Sequence, residues 1–536
     1  MNRMLTRIVA GIVYVCAMLP AFAANPYLPL WEYIPDGEPY VFEDPDCPGK
    51  YRVYIYGSHD SMRTEYCGRE LVVWSASVDS LDYWRYDGVI FESKTDANGN
   101  LLNQGGLGDV LYAPDVTEVV GKDGKKTYYL YPNNQHGGRN GMVAKADRPD
   151  GPFKVCNWSK DNPAVCDGVL GFDPAVFVDD DGRVYGYWGF GKSWAAELDP
   201  QTMATVKPGT QAIEGLVSGI DEEGVFSFFE ASSIRKVKDK YLFIYSRRTI
   251  PGEFGLPASN YTLAYAYGDS PLGPFTYGGT LIDGRARGTD LDGNVIPTAQ
   301  FNGNTHGSIA EINGRWYVFY HRQTGLNEFS RQAMVAPIEV KVTEGKGGKV
   351  EITEGEYTSE GFETEGLNPY KRYSAGIACY YTGPTPATAK WPNYYFSGSY
   401  VQPIYRDANR FILPYDLRYN SNPVVNNTDG STVGYKYFNF DLIDRSRELD
   451  LLLNLKPQGI NGTVRIMASS PWKEKGGVEI GMFSVSEDAP QALTRLRIDV
   501  SKAKNLRGKQ ALFFVFSSPE KGQSVCELHD LVFVSR

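Results

Sequence analysis

Apolar and polar positions follow a pattern that recurs along much of the chain. Its clearest copy lies at 171–189 (GFDPAVFVDDDGRVYGYWG), where an apolar run at 175–178 is followed by an Asp-Gly turn and a second apolar run at 184–188. Asp-Gly between two such runs is a strong hairpin signal, because glycine supplies the positive φ that tight turns need. Asp173 stands just before the first run. The pattern therefore predicts a buried hairpin with a carboxyl group at its entrance.

The same hairpin is repeated in four other segments, and each copy has a polar residue at the entrance of its first strand. Nearly the same turn follows a third strand at 148–153 (RPDGPF) and at 270–275 (SPLGPF). Short antiparallel strands in a unit repeated around an axis are typical of a β-propeller, whose innermost strands converge. Residues 25–350 are therefore predicted to form a five-bladed β-propeller, rather than a sandwich with accidental hairpin similarity. The entrance residues expected around one central pocket are Asp36, Asp115, Asp173, Glu230 and His306.

A second domain is predicted after a boundary at 343–366, which is rich in Gly, Glu and Thr. Residues 367–536 contain short strands without the hairpin repeat, and no helical periodicity of useful length interrupts them. This pattern is typical of a β-sandwich, here jelly-roll-like. The fold class expected for the whole chain is thus all-β, a propeller followed by an accessory sandwich.

The first residues, 1–23, have the pattern of a signal peptide: a basic start, an apolar run at 8–19 and an Ala-x-Ala cleavage site at 21–23. The apolar run is too short to span a membrane. We therefore expect an exported protein, periplasmic or extracellular, without a membrane span. The net charge of −10 and the lack of a long basic run argue against a nucleic-acid partner.

Six cysteines remain once Cys16 of the signal peptide is set aside. An even number in an oxidising compartment permits disulfides, although six free cysteines are the alternative. No Cys-x-x-Cys pair is present, so a zinc site has no support. The pairs predicted from their positions are Cys47–Cys67, Cys156–Cys166 and, bracketing the sandwich, Cys379–Cys526.

Carboxylic acids occupy equivalent entrance positions at Asp36, Asp173 and Glu230, and Asp115 adds a fourth. Acids gathered in one pocket raise one another's pKa values, so that one is held protonated beside one that is ionised. That combination is what glycosidic bond cleavage requires. The alternative for each aspartate is a purely structural role in a turn.

Several motifs resemble glycoside hydrolase family 43 across 25–352. They are IPDGEPYVF at 34–42, YAPDV at 112–116, the stretch 171–189, FFEASSIRK at 228–236 and FSRQ at 329–332. The resemblance implies a five-bladed propeller that hydrolyses with inversion, mostly on arabinofuranosides and xylosides. The motifs depart from the family's usual Asp-Pro at Asp36-Gly37, and from its usual Glu-Gly or Glu-Ala-Pro at Glu230-Ala231-Ser232, but keep both carboxyl groups.

The resemblance also implies roles for individual residues. Asp36 would be the general base, Glu230 the general acid, and Asp173 the residue that tunes the pKa of the acid and orients it. His306 matches a central histidine that often lies beside a bound structural calcium ion, and Arg331 matches a substrate-binding arginine. Asp115 is expected to contact substrate or, alternatively, to be structural. Four aromatic residues near the entrances could form an aromatic wall for the substrate, and core packing is the alternative for each: Tyr112, Phe172, Trp188 and Phe229.

The function expected from these residues is an exo-acting α-L-arabinofuranosidase that trims side chains of plant polysaccharides. A β-xylosidase, an endo-arabinanase and a galactofuranosidase remain open within the enzyme class. A sugar-binding propeller without catalysis is the alternative of another class, and loss of the acid or the base would be its mark. The sandwich resembles carbohydrate-binding modules, with Trp391 and Trp472 as candidate contacts, or else it supports the propeller.

Overall fold

The computed structural model describes residues 24–62, 64–299, 303–324, 328–383, 398–404 and 422–536. The predicted signal peptide therefore lies outside the described residues. Within them the chain is nearly all-β and forms two domains, a five-bladed β-propeller and a β-sandwich, as the fold class predicted. No helix of the described ranges is long and apolar enough to cross a membrane.

Each of the first four blades is an antiparallel sheet of four strands. The strands of the first two are β1 (Glu38–Glu43), β2 (Tyr51–Tyr56), β3 (Glu70–Ser77), β4 (Ser80–Glu92), β5 (Asp115–Val120), β6 (Lys126–Tyr131), β7 (Ala144–Ala146) and β8 (Lys154–Val155). Those of the next two are β9 (Ala175–Val178), β10 (Val184–Gly189), β11 (Ser193–Leu198), β12 (Ile213–Glu214), β13 (Phe228–Val237), β14 (Lys240–Arg247), β15 (Thr262–Gly268) and β16 (Thr276–Asp283).

The fifth blade has three strands and is flanked by two small hairpins. Its strands and those of the hairpins are β17 (Arg287–Thr289), β18 (Val295–Pro297), β19 (Ser308–Ile312), β20 (Arg315–Arg322), β21 (Gln332–Ile338), β22 (Val340–Val342) and β23 (Val350–Ile352). The start of the chain runs beside β21: the Tyr27 amide donates to the Ala333 carbonyl at 3.3 Å, and Asn25 exchanges side-chain hydrogen bonds with the backbone of Val335. The two ends of the propeller sequence are thus joined in one blade.

Apolar side chains fill the space between every pair of successive blades. The cluster between the fifth and first blades, which includes Trp74, Phe319 and Val335, closes the ring. Equivalent clusters lie between the other neighbouring blades. This packing explains why a middle strand such as β14 is buried on both faces, and why its sequence is almost continuously apolar.

The sandwich packs a sheet of order β26-β27-β34-β29-β32, with β24 beside β34, on a sheet of order β25-β28-β33-β30-β31. Its strands are β24 (Tyr373–Ser374), β25 (Tyr380–Thr382), β26 (Tyr400–Val401), β27 (Val424–Val425), β28 (Thr432–Asn439), β29 (Leu449–Pro457), β30 (Gly462–Ala468), β31 (Val478–Val485), β32 (Thr494–Asp499), β33 (Lys509–Ser517) and β34 (Cys526–Ser535). Short 3₁₀ helices lie at Gln104–Gly106, Glu253–Gly255, Ala375–Ile377, Phe440–Leu442, Lys473–Lys475 and Ser501–Asn505.

The sandwich contacts the fifth blade through a buried arginine. Arg322, the last residue of β20, donates hydrogen bonds to the carbonyl groups of Gly376 and Ala378. Its guanidinium also binds the side chain of Gln332, which in turn donates to the Leu30 carbonyl at 2.6 Å. The two domains therefore share a buried polar network rather than only a surface contact.

The predicted disulfides are wrong, because all six cysteines of the described residues are free. Cys379 packs with apolar residues between the fourth and fifth blades, whereas Cys526 lies in the sandwich core. A bond between them would require the two side chains to leave different cores. The other predicted pairs each combine an exposed thiol with a buried one, namely Cys47 with Cys67 and Cys156 with Cys166.

Candidate functional site

A cavity of about 810 Å³ opens at the propeller axis, where the chain enters the first strands of the blades. These strands converge, since β1 contacts β19, β5 contacts β9, and β9 contacts β13. Most of the site residues predicted from the sequence line this cavity. They are Asp36, Tyr112, Asp173, Phe229, Glu230, His306 and Arg331.

Backbone geometry at the entrances directs the carboxyl groups into the cavity. Asp36 and Asp173 both adopt left-handed φ angles, of 61° and 50°. Ala231, directly after Glu230, does the same at 69°, and the pairing of β13 with β14 is irregular around it. Such angles are uncommon for residues other than glycine and concentrate at functional sites. The backbone at each entrance is therefore shaped around its carboxyl group, just before the strand for Asp36 and Asp173 and within β13 for Glu230.

Asp36 is a buried carboxylate surrounded by donors. Arg331 Nη1 donates to Oδ1 at 3.0 Å and to Oδ2 at 3.3 Å, and the Ser58 hydroxyl donates to Oδ2 at 2.6 Å. Burial alone would raise the pKa of Asp36, but the adjacent charge of Arg331 holds it well below its usual range. Asp36 is thus ionised throughout the neutral pH range.

Glu230 has the opposite electrostatic environment. It is buried and accepts a hydrogen bond from Asn304 Nδ2 at 3.0 Å. Burial, supported by the nearby negative charge of Asp36, raises the pKa of Glu230 to about 7, although the Asn304 bond opposes the shift. A carboxyl group with this pKa is about half protonated at pH 7 and mostly protonated below it, so it can donate a proton.

Asp173 is the third buried carboxyl group that lines this cavity. Asn133 Nδ2 donates to its Oδ1 at 2.8 Å, and the Ala231 amide donates to its Oδ2 at 3.0 Å. Burial and the charge of Glu230 raise the pKa of Asp173, because the two carboxyl groups cannot easily ionise together. Both oxygens of Asp173 accept N–H donors, which favour its ionised form, so the shared proton belongs on Glu230.

His306 occupies the floor of the cavity. Its Nδ1 is 3.6 Å from Asp173 Oδ2, and its Nε2 is 4.0 Å from Glu38 Oε1. Burial lowers the pKa of His306 to about 4, so the ring is neutral at neutral pH.

The donors around His306 do not fit a calcium ion held by side chains. Calcium takes six to eight oxygen ligands, usually including carboxylates. Of the carboxylates near the ring, Asp173 already binds two N–H groups and only Glu38 Oε1 lacks a hydrogen-bond partner. No group of three or more His, Cys, Asp or Glu side chains within the described ranges is placed to hold a metal ion.

Asp115 does not reach the cavity. It is 1% exposed and is not among the residues that line the cavity. Its Oδ1 accepts from the Tyr40 hydroxyl at 2.6 Å and its Oδ2 from the Val176 amide at 2.7 Å. Asp115 therefore links three blades, and the prediction that it contacts substrate is corrected to this structural position.

Trp188 is also outside the cavity lining. It belongs to the second strand of its blade, where it packs in the core between the second and third blades and stacks on Trp194 with ring centroids 6.2 Å apart. The aromatic wall predicted from the sequence is instead completed by Phe190. This side chain is 59% exposed and lies 5.6 Å from Phe172 and 5.1 Å from Phe229, between ring centroids.

The sequence did not reveal the residues that position the predicted site residues. Asp60 binds the guanidinium and the backbone amide of Arg331, at 2.8 to 3.0 Å. Asn304 and Asn133 hold Glu230 and Asp173. Asn304 directly precedes the Thr-His-Gly sequence of the fifth entrance, so the hairpin repeat could have identified it. Asp60 and Asn133 follow second strands, where the repeat marks no polar position.

His321 binds the backbone of Asp36. It is fully buried on β20; its Nε2 lies 2.9 Å from the Asn304 carbonyl, and its Nδ1 accepts from the Asp36 amide at 3.2 Å. These two bonds fit the tautomer with the proton on Nε2. His321 thereby connects the segment of the base to the asparagine that binds Glu230.

A carboxylate that is ionised at neutral pH and a carboxyl group that can carry a proton, both in one cavity, can act as the base and the acid of glycosidic bond hydrolysis. Fold and site together define a glycoside hydrolase. The model of glycosyl hydrolases family 43 matches residues 41–343, and the chain belongs to this family.

Proteins similar in sequence to this chain are named as xylosidases, arabinosidases or arabinofuranohydrolases. A xylosidase/arabinosidase of Thermoclostridium stercorarium is 36% identical over 445 residues, which cover 77% of this chain and 82% of that protein. An arabinoxylan arabinofuranohydrolase of Paenibacillus polymyxa is 27% identical over 383 residues, or 68% of this chain and 54% of that protein. Among solved structures, a family 43 arabinoxylan arabinofuranohydrolase from Bacillus subtilis, in complex with cellotetraose, aligns with 96% of this chain and 97% of its own at 21% identity and a TM-score of 0.43.

Proposed function

We propose that this glycoside hydrolase acts by inversion and releases single pentose units from xylan-type polysaccharides, foremost as an α-L-arabinofuranosidase on arabinoxylan. The observation that carries the mechanism is the contrast between two cavity carboxyl groups, since Asp36 binds the charged Arg331 whereas Glu230 accepts a hydrogen bond from the neutral Asn304 amide. The pKa of Asp36 lies well below its usual range, and the pKa of Glu230 is raised to about 7. Each group is therefore in the state that its role demands before substrate binds.

The reaction then follows from these states. Glu230 donates its proton to the glycosidic oxygen as the bond between that oxygen and the anomeric carbon breaks. A water molecule attacks the anomeric carbon from the opposite face, and Asp36 takes the proton that this water loses. At the end Asp36 is protonated and Glu230 ionised, so solvent must exchange one proton at each group before the next turnover.

Asp173 and Arg331 position the two catalytic groups. Asp173 lies next to Glu230 and accepts the amide of the following residue, Ala231, so it fixes the turn that carries the acid. Arg331 uses its guanidinium on Asp36 and Asp60, which makes it a partner of the base. A substrate-binding role for Arg331, as the family resemblance implies, would use only the face of the guanidinium toward the cavity.

The substrate class rests on the relatives. The relative that is 36% identical is named a xylosidase/arabinosidase, and two others are named arabinoxylan arabinofuranohydrolases. The name xylosidase/arabinosidase of the 36% identical relative also supports β-xylosidase activity, which is the second candidate function. A cavity lined by aromatic rings and by a few polar groups suits a sugar, since rings stack on sugar faces while polar groups bind hydroxyls.

The test is a comparison of nitrophenyl α-L-arabinofuranoside and nitrophenyl β-D-xylopyranoside, followed by release of free pentose from arabinoxylan, xylan and arabinan. NMR of the first product formed from each substrate shows whether its anomeric configuration is inverted. Initial release of the retained anomer would contradict the mechanism. Release of oligosaccharides without free pentose would contradict exo action.

We also propose that the protein is exported, on the basis of the signal pattern at 1–23. Expression of the full chain in a bacterial host, followed by separation of the secreted, periplasmic and cytoplasmic fractions, tests this. A mature N-terminus near Ala24 in an exported fraction is expected, and an intact Met1 on protein confined to the cytoplasm would contradict it.

A further inference from the structure

Glu328 is a carboxyl group of the cavity wall that the catalytic scheme does not use. It lies three residues before Arg331 and lines the same cavity as Asp36 and Glu230. The residue is only 2% exposed, and its Oε1 has no hydrogen-bond partner among the described residues. A buried polar atom without a partner is rare in native proteins and calls for an explanation.

Three other buried charged groups that line the cavity have protein partners for their polar atoms. Asp36 binds Arg331 and Ser58, and Asp173 binds two N–H donors. Arg285, on the same wall, binds both carboxylate oxygens of Asp283, at 2.8 and 2.6 Å, and the Pro257 carbonyl at 3.0 Å. Glu328 thus differs from these three groups, because it lines the cavity and has a carboxyl oxygen without a hydrogen-bond partner among the described residues.

The backbone around Glu328 is held in place by its neighbours. Phe329 makes an edge-on contact with Tyr66 at 5.2 Å between centroids, and the Ser330 hydroxyl donates to the Thr324 carbonyl at 3.1 Å. Tyr66 in turn lies under the guanidinium of Arg331 at 4.8 Å. Glu328 is therefore fixed on the side of the cavity that carries the base, and a pre-positioned polar group of this kind provides specificity.

Burial raises the pKa of Glu328 to about 8, although the charge of Arg331 opposes the shift. The group is thus a protonated carboxyl at neutral pH, with one donor and acceptor oxygens. A sugar hydroxyl is also both donor and acceptor, so the two groups match.

We propose that Glu328 binds a hydroxyl group of the sugar whose glycosidic bond is cleaved and so determines which pentose the cavity accepts. This assignment rests on the proposed pentosidase activity. A site built to hydrogen-bond a particular hydroxyl discriminates strongly against a sugar that lacks it, because the buried polar group is then left without a partner.

The test removes the proposed hydrogen bond in two ways, first by changing Glu328 and then by removing hydroxyl groups of the substrate. Glu328→Ala should lower kcat/KM on nitrophenyl α-L-arabinofuranoside by about 10- to 100-fold, the value of a hydrogen bond of this type. The same enzyme pair is then compared on mono-deoxy analogues, each of which lacks one hydroxyl. On one analogue the parent should already be slow, and Glu328→Ala should cause little further loss.

Two variants control for structural effects. Glu328→Gln keeps the shape, one donor and one acceptor, so it should recover much of the activity that Glu328→Ala loses. Glu311→Ala removes an exposed carboxylate from β19 and should leave kcat/KM and the thermal midpoint unchanged. If Glu328→Ala has the midpoint of the parent but loses the same factor on every analogue, or loses nothing, the proposal is overturned.

A binding measurement separates this proposal from the proposed activity. In a Glu230→Gln background, calorimetry with xylotriose and with free arabinose should show weaker binding when Glu328→Ala is added. A parent that hydrolyses no pentoside would contradict the proposed function, and calorimetry would still report on Glu328. A parent that is active, with binding unaffected by Glu328→Ala, would overturn only the role of Glu328.

Discussion

Arg331 Nη1 lies 3.0 Å from Asp36 Oδ1 and 3.3 Å from Oδ2, while Nε and Nη2 of the same guanidinium bind Asp60. One buried cation is thus shared between two carboxylates, and only one of them lines the cavity. The planar fork of arginine suits this geometry, because its donors are fixed relative to each other. The arginine keeps the base ionised, and Asp60 keeps the arginine in place.

The first prediction concerns this pair. Arg331→Met removes the charge that lowers the pKa of Asp36, whose burial would then raise it. Because the base acts only when ionised, the low-pH limb of kcat/KM should move to higher pH. Measurement of kcat/KM against pH checks this. Arg331→Lys, which keeps the charge but loses the fork, should shift the limb less, and an unmoved limb in Arg331→Met would contradict the role.

The second prediction concerns the acid. Glu230→Gln keeps the side-chain shape but has no proton to transfer, so hydrolysis of arabinoxylan should fall by ~10²–10⁴-fold. An aryl glycoside with an acidic leaving group needs little protonation and should lose much less. The ratio of the two losses is the measurement. Near-parental rates on the polysaccharide would remove Glu230 from the mechanism.

The third prediction concerns the base. Asp36→Asn should be slow on the polysaccharide and on the activated aryl glycoside alike, since the attacking water lacks its proton acceptor in both. A loss of ~10²–10⁴-fold is expected on each. Added azide, which needs no base, should restore turnover of the aryl glycoside and give a glycosyl azide of inverted configuration. Selective rescue by the better leaving group alone would instead assign Asp36 the role of an acid.

The sequence was informative wherever the hairpin repeat was regular. Equivalent positions in a repeat predict equivalent positions in space, so the repeat located Asp36, Asp173 and Glu230 in one cavity. The same reasoning failed for Asp115, whose carboxylate oxygens accept hydrogen bonds from Tyr40 and Val176 of neighbouring blades and which does not line the cavity. A shift of a residue or two along a strand changes which level a side chain occupies, and periodicity alone does not resolve it.

The hairpin repeat does not predict which residues make contacts between different blades. The pairing of Asp60 with Arg331 joins residues 271 positions apart, and no local signal connects them. Trp188 was misplaced for a related reason: an aromatic residue near a strand end fits a pocket wall or a core equally well, and here packing against Trp194 decides. Cysteine pairing failed similarly, because closeness in sequence says little about which core holds each thiol.

The fourth prediction concerns the stability that a buried ion pair of His59 contributes. His59 Nε2 lies 3.1 Å from Glu32 Oε1, and its Nδ1 lies 3.0 Å from Glu70 Oε1. Burial alone would lower the pKa of His59, but the two carboxylates raise it to about 9. Breaking a buried pair leaves a charge uncompensated, so His59→Gln should reduce the free energy of unfolding by about 3–5 kcal/mol, which urea titration would measure.

The pH dependence of that contribution has a definite sign. The pKa of His59 is higher in the folded protein than the ordinary value of 6.5. Its stabilisation is therefore fully present below that ordinary value and is lost as the pH rises through about 9. The stability difference between the parent and His59→Gln should narrow over this window. A constant difference from neutral to alkaline pH would contradict the charged pair.

The last prediction concerns the division of labour between Asp173 and Glu230. Both are buried, and the ionised form of each opposes ionisation of the other. Asp173→Asn removes that opposition, so Glu230 should lose its proton at lower pH. The high-pH limb of kcat/KM, expected near 7 in the parent, should then move downward, while substrate binding changes little. Asp181→Asn, in the exposed turn of the same hairpin, is the matched control and should leave the limb in place. If Asp173→Asn lowers the rate by one factor at every pH, the carboxylate orients Glu230 without tuning its pKa; if the limb moves upward, Asp173 rather than Glu230 holds the shared proton.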